Sequence, residues 1–157
     1  MAVAKVVQFG SDLRLLDDLE RQNSRGRGSD LPVRTRTRSG RFDLTTVSEI
    51  DNIRQALLLR LLTPVGELEP LGHPEYGCRL GELVGALNNE RTRNIAKMFV
   101  LQSLAAEPRI EQVLSVRVTP NRSDRTRIDI TVDALTRESP SPLNLVFPFF
   151  LEPGTPA

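Results

Sequence analysis

The sequence predicts an α+β domain in which about three helices pack on a small antiparallel sheet, with an extended N-terminal arm in front of it. Three observations carry this expectation. Apolar residues recur at helical spacing in two stretches, 46–62 and 89–106; the period switches to two between Val113 and Ala134; and residues 21–41 hold seven arginines against one acid, with almost nothing to bury. A chain of 157 residues has the length of one ordinary domain, so a single core is expected. The division falls near Arg41: residues 1–40 read as an arm, a short helix plus an Arg-rich linker, and residues 41–157 as the compact domain.

In chain order, SDLRLLDDLE at 11–20 offers a short amphipathic helix capped by Ser11, with Leu13, Leu16 and Leu19 near helical spacing. A brief FDL strand at 42–44 leads to a helix that starts at Thr46 or Ser48, because Thr46 with Glu49 and Ser48 with Asp51 both have capping-box spacing. Ile50, Ile53, Leu57, Leu58, Leu61 and Leu62 form its broad apolar face, and Pro64 ends it. The segment TPVGELEPLGHPEYG then packs three prolines and three glycines into fifteen residues and reads as a shaped loop. Leu80, Leu83, Val84 and Leu87 mark a second, shorter helix. Asn89 caps a third, with Ile95, Met98, Phe99, Gln102 and Ala106 on one side and a stop before Pro108. Val113–Val118 and Ile128–Ala134 alternate as a hairpin around PNRSDRT, with Arg117 able to meet Asp129 or Asp133 across it. TRESPSP reads as a linker. LNLVFPFFL is apolar on both faces with Pro148 inside, the pattern of an edge or added strand, and serves either as a docking strand or as part of the domain's own core.

Composition removes several function classes. One cysteine, Cys78, closes no intrachain disulfide, and with one histidine, His73, there are too few ligands for a Cys/His zinc cage. No apolar run reaches the roughly 18 residues of a membrane helix. The first residues lack the apolar core of a secretory signal, so synthesis in the cytoplasm is expected. Aromatic content of 4% leaves no base-stacking platform outside the last few residues. The arginine segment reads as a solvated tail, as an arm lying on an acidic groove of a neighbour, or as a nonspecific phosphate binder. Gly26 and Gly28 precede no phosphate-cradling helix.

Asn52, Ile53, Arg54 and Leu61 on the capped helix, then Thr63, Pro64, Gly66 and Glu67, then Pro74, Tyr76 and Gly77, then Glu107, Pro108, Arg109 and Ile110 before the hairpin, follow one another in an order that resembles the GpW-like baseplate wedge family. These are the sheath-initiator proteins of contractile phage tails, type VI secretion baseplates and extracellular contractile injection systems. The resemblance spans 42–135 and departs from the usual pattern at Val65 and Leu68, where relatives often carry arginine. It implies a structural protein without catalytic residues, cofactor or metal, made in the cytoplasm and built into a phage tail-like particle. It implies Glu107, Pro108 and Arg109 as the baseplate-partner contact, Thr63, Pro64, Gly66, Glu67, Tyr76 and Gly77 as the loop motif, and strands carrying Val116, Val118, Ile128, Ile130, Val132, Leu145, Phe147 and Phe149 as the place where the sheath docks. The implied partners are baseplate wedge subunits and the first ring of sheath protein, with the inner tube or hub as a further candidate, in multiple copies of a sixfold assembly; a membrane and nucleic acid are disfavoured.

Other readings remain beside it. Glu107 and Arg109 could be solvated charges flanking a proline helix stop. Glu67, Glu69, Glu75 and Glu82 invite a glycosidase reading, which needs two carboxylates across a cleft, yet Tyr76 is the only nearby aromatic for a sugar to stack on. His73 reads as a loop residue, Asp17 and Asp18 as a solvated helix face, and Cys78 as a small buried apolar residue.

Overall fold

The structure, a computed structural model, describes residues 10–15, 31–35, 40–137 and 139–152. Among these are seven strands and two α-helices: β1 (Ser11–Leu13), β2 (Val33–Thr35), β3 (Phe42–Leu44), β4 (Thr46–Ser48), α1 (Glu49–Leu62), α2 (Glu90–Ala105), β5 (Ile110–Pro120), β6 (Arg127–Thr136) and β7 (Ser139–Phe150). The main sheet is antiparallel in the order β5–β6–β7. Its inward residues alternate as a two-residue period requires, Val116 opposite Val132 opposite Leu145 and Val118 opposite Ile130 opposite Phe147. They meet Ile53, Leu57 and Leu61 of α1 and Ala96, Phe99, Val100 and Leu104 of α2 in one buried cluster.

The expected α+β class, the hairpin and the terminal edge strand are present; the count of about three helices is not. Where a helix was expected through Leu80–Leu87, only Arg79–Leu83 winds, as a five-residue 3-10 turn. Val84 leaves it in an extended conformation and Gly85 follows at φ 92°, so the helical path ends at once. The arm departs from expectation too. Ser11–Leu13 is a strand paired with β4, not the start of a helix, and Val33–Thr35 pairs with β3. Leu16, Leu19, Asp17, Asp18, Gly26 and Gly28 lie outside the described residues. The linker expected at 136–142 is shorter, since β7 begins at Ser139.

Local chemistry explains the helix ends. Asn89 caps α2 by accepting a hydrogen bond from the Thr92 backbone N–H at 2.9 Å. Ser48 sits at the N-cap of α1 but makes no side-chain cap bond, so neither capping box forms there. The buried stripe of α2 is Thr92, Ala96, Phe99, Val100, Ser103 and Leu104; of the face read from the sequence, Phe99 is buried while Met98 is 46% exposed. In β7, Leu143, Leu145 and Phe147 are core residues, so LNLVFPFFL completes the domain's own core on one face. Val146, on the other face, is 56% exposed.

The loop between α1 and the 3-10 turn is shaped by close backbone contact. Thr63 closes α1, its hydroxyl donating to the Leu59 carbonyl at 2.7 Å, and its own carbonyl accepts from the Cys78 N–H at 2.8 Å. Gly77 sits at φ 118°, and a Cβ there would lie 2.5 Å from the Thr63 carbonyl oxygen and 2.8 Å from that of Pro64. Only glycine fits. Gly77→Ala is expected to destabilise the fold by about 1–3 kcal/mol or more, from overpacking and a strained φ together. Gly81→Ala, with a negative φ and open space, should be neutral or slightly stabilising. Chemical denaturation of the two variants separates them.

Candidate functional site

Of the residues read from the sequence as a partner contact, Glu107 and Arg109 form an ionic cluster with Arg60. Glu107 lies in the turn after α2, where Pro108 bars further helix, and its own N–H still reaches back to the Leu104 carbonyl at 3.1 Å. Its side chain does not point outward: Glu107 is 5% exposed. Arg60 of α1 donates Nε to Glu107 Oε2 at 2.9 Å, and Arg109 donates Nε to Oε1 at 2.7 Å. The Arg60 guanidinium also stacks over the Tyr76 ring, 4.5 Å from its centroid. One carboxylate thus joins α1, the α2–β5 turn and, through the stacked ring, the Thr63–Gly77 loop. Against the expectation for a contact motif, the Glu107 charge is satisfied inside the fold; Pro108 is exposed and Arg109 half-buried.

Burial by itself would raise the Glu107 carboxyl, but the Arg109 hydrogen bond and charge, with the Arg60 charge, outweigh it and hold the group below its ordinary value.

The loop-motif residues divide by role. Thr63, Pro64 and Gly77 shape the backbone, and Gly66 turns at φ 89° so that the Glu67 N–H reaches the Pro64 carbonyl. Tyr76 stacks on Arg60, and Glu67 is exposed. Glu69, Glu75 and His73 are exposed on the same loop, and Glu82 pairs with Arg79 at 2.7 Å on the surface. Cys78 is buried, its thiol pushed up by burial, which suits an inert core residue. The clefts at the α2 N-terminus (about 530 Å³), beside Met98 and beside Arg79 are lined by one carboxylate each, Glu152, Glu90 and Glu82 respectively. None offers the facing pair that glycoside cleavage needs. Among the described residues no cluster of His, Cys, Asp or Glu could hold a metal ion.

Of the residues read as docking strands, Val116, Ile128, Ile130, Val132, Leu145 and Phe147 are buried against the helices, and Val118 and Phe149 pack partly against the same core. The opposite face of the sheet is polar apart from the exposed Val146. Asp133 accepts from Ser115 Oγ at 2.7 Å, Asn144 Nδ2 at 2.6 Å and Arg117 Nη2 at 3.2 Å, joining all three strands.

Sequence reading missed two side chains. Arg60 falls on the buried face with Ile53 and Leu57, a lone cation at core spacing inside LLLRLL, and that position was the available signal. Gln55 is buried on α1, and its side-chain amide donates to the Leu13 carbonyl and accepts from the Leu15 N–H, both at 2.8 Å, fastening the end of β1 to the helix. Nothing in the local sequence foretells that pairing.

A family model described as baseplate wedge protein gp25 matches residues 47–141, from within β4 into β7. Among solved structures, the crystal structure of a provisionally named tail lysozyme from Geobacter sulfurreducens is similar at 28% identity and a TM-score of 0.57, over 66% of this chain and 93% of that one. No curated protein is significantly similar.

Glu107→Gln should destabilise the fold by about 3–5 kcal/mol, because it leaves the buried Arg60 guanidinium without a counter-charge. A depressed folded pKa contributes stability that is present above the unfolded value, about 4.3, and is lost as pH falls through the folded one. The wild type should therefore lose stability on acidification below about pH 4.3, and Glu107→Gln should lose less over the same interval. Urea melts at neutral and acid pH measure both.

Proposed function

The chain belongs to the baseplate wedge protein gp25 family, and from that premise we propose that it is a structural baseplate component that links wedge subunits to the sheath and starts sheath assembly by strand addition. As a family member it assembles with other baseplate components in a phage tail-like particle. Residues 41–157 form the baseplate domain in this reading, and residues 1–40 an arm.

The observation that carries the reading is the edge of the main sheet. β7 pairs with β6 along one side, and among the described residues no strand pairs with its other side. Such an edge offers backbone donors and acceptors to an incoming strand. Because the inward side chains of β5–β7 are core, the sheath would be held through main-chain bonds and the outer face around Val146, not through Val116, Ile130 or Phe147. Pro148, which has no N–H to donate, limits pairing at its position. Pro108 and Arg109 remain at the surface beside the Glu107 cluster and are the elements of that turn left to face a wedge subunit. The first sheath ring, the wedge and the tube or hub are the proposed partners, in six copies around the tail axis.

The family's structural role and the single-carboxylate clefts favour a non-catalytic chain. The lysozyme name belongs to the Geobacter protein; a peptidoglycan-release assay in which the purified chain is active would reinstate catalysis here. No described helix is long and apolar enough to cross a membrane.

Val146→Glu is expected to leave the Tm nearly unchanged, since the side chain is more than half exposed, while baseplates carrying the variant form but remain without sheath. Electron microscopy of particles showing normal sheaths on these baseplates would contradict the docking role.

A further inference from the structure

The N-terminal β-ribbon is built the wrong way round for a surface element. Residues 42–48 run as one extended stretch whose single paired side takes both β1 and β2: the Arg14 N–H donates to the Thr45 carbonyl at 2.9 Å, and the Thr45 N–H donates to the Pro32 carbonyl at 2.8 Å. Both main-chain groups of Thr45 therefore point to that side. Those of Phe42, Leu44 and Thr46 point to the opposite edge, where no described strand pairs and where the Leu44 N–H is held only by the neighbouring Asp43 Oδ1 at 3.0 Å.

Side chains alternate accordingly. Val47 is buried and Asp43 and Thr45 are partly buried, whereas Phe42 is 78% exposed and its same-face neighbours Leu44 and Val33 are 37% and 59% exposed. An apolar face turned to solvent beside an open strand edge is a feature that soluble proteins ordinarily cover. Charge selects what covers it. The sequence from Leu31 to Ser48 carries four arginines against one acid, Asp43, and Arg34 and Arg41 are exposed on it.

We infer that this ribbon is a second docking surface, which takes an extended, acidic segment of a neighbouring protein as an added strand along residues 42–48. The segment's apolar residues lie beside Phe42 and Leu44, with Val33 one strand further on the same face, and its alternating carboxylates lie on the face that carries Arg41 and, across from Asp43, Arg34. A strand's period of two delivers both contacts at once, and a helix or a merely acidic coil does not. The surface is separate from the β5–β6–β7 edge and lies almost wholly outside the family match at 47–141. Its failure would leave the baseplate reading untouched.

The test is fluorescence anisotropy of the full chain with a labelled, end-capped peptide of alternating valine and glutamate. Controls are a scrambled peptide of the same composition and a valine–lysine peptide. Binding should be confined to the first, weaken as salt rises, and fall about tenfold or more in Phe42→Ser, which removes the apolar anchor. It should also fall in Thr46→Pro, which removes a main-chain N–H directed at the open edge. Circular dichroism and the Tm of both variants establish that they fold, and Phe42→Ser, at an exposed position, carries the test if Thr46→Pro does not. No binding, equal binding of the scrambled peptide or equal binding of the lysine peptide overturns the proposal. So does concentration-dependent dimerisation in sedimentation that Phe42→Ser abolishes, which would give the edge to a second copy of the chain.

Discussion

The buried carboxylate of Glu107 is the constraint on which the arrangement of the domain depends. From its own turn, where Arg109 also pairs with it, the carboxylate gathers two elements distant in sequence: α1 through Arg60, and the Thr63–Gly77 loop through the ring of Tyr76 on the Arg60 guanidinium. A carboxylate and a guanidinium this far from water are costly unless each is paired, and here the pairing is nearly complete. The consequence is positional. With Arg60 held, the C-terminal end of α1 is fixed against the turn that launches β5, and the Arg109 carbonyl accepts the Arg137 N–H at 3.0 Å, extending the β5–β6 ladder to the same point.

That arrangement separates the molecule's interior work from its exterior work. The inward apolar residues of the sheet are committed to the helices, and its outer face is mainly a hydrogen-bonded polar surface centred on Asp133, with Val146 exposed on it. In the reading proposed above, partners would meet the backbone of the sheet edge with Val146 beside it, the turn at exposed Pro108 and half-buried Arg109, and the inverted ribbon. If the sheath docks by strand addition as proposed, main-chain pairing on a rigid core is a suitable joint, because load is shared along a strand and does not rest on a few side chains.

Much of this was legible in the sequence, and the reason differs by element. α2 was readable because Asn89 and Pro108 bracket it, and β5 and β6 because alternation survives over many residues. The middle helix was misread because Leu80, Leu83, Val84 and Leu87 keep helical spacing while Gly81 and Gly85 interrupt the path. The ribbon was misread because Leu13 supplies helical spacing only together with Leu16 and Leu19, whereas its actual partner, β4, lies about thirty-five residues further along the chain. Glu107, Arg109 and Tyr76 were visible as motif residues, but the direction of Glu107 and its partner Arg60 were not. Whether a glutamate before a proline faces in or out depends on a lone arginine forty-seven positions earlier, and the apolar face read for α1 left that arginine out although it stands at core spacing.

The most direct measurement is a double-mutant cycle on Arg60→Met and Glu107→Leu, followed by urea denaturation at neutral pH. If the carboxylate is the knot described here, each single substitution costs about 3–5 kcal/mol by stranding a buried charge. The double variant, with no charge left to strand, should then recover a large part of that loss, giving a coupling of roughly 1–3 kcal/mol or more. Additivity of the two single effects to within about 0.5 kcal/mol would contradict the account, because it would mean that Arg60 and Glu107 are buried near one another without depending on one another.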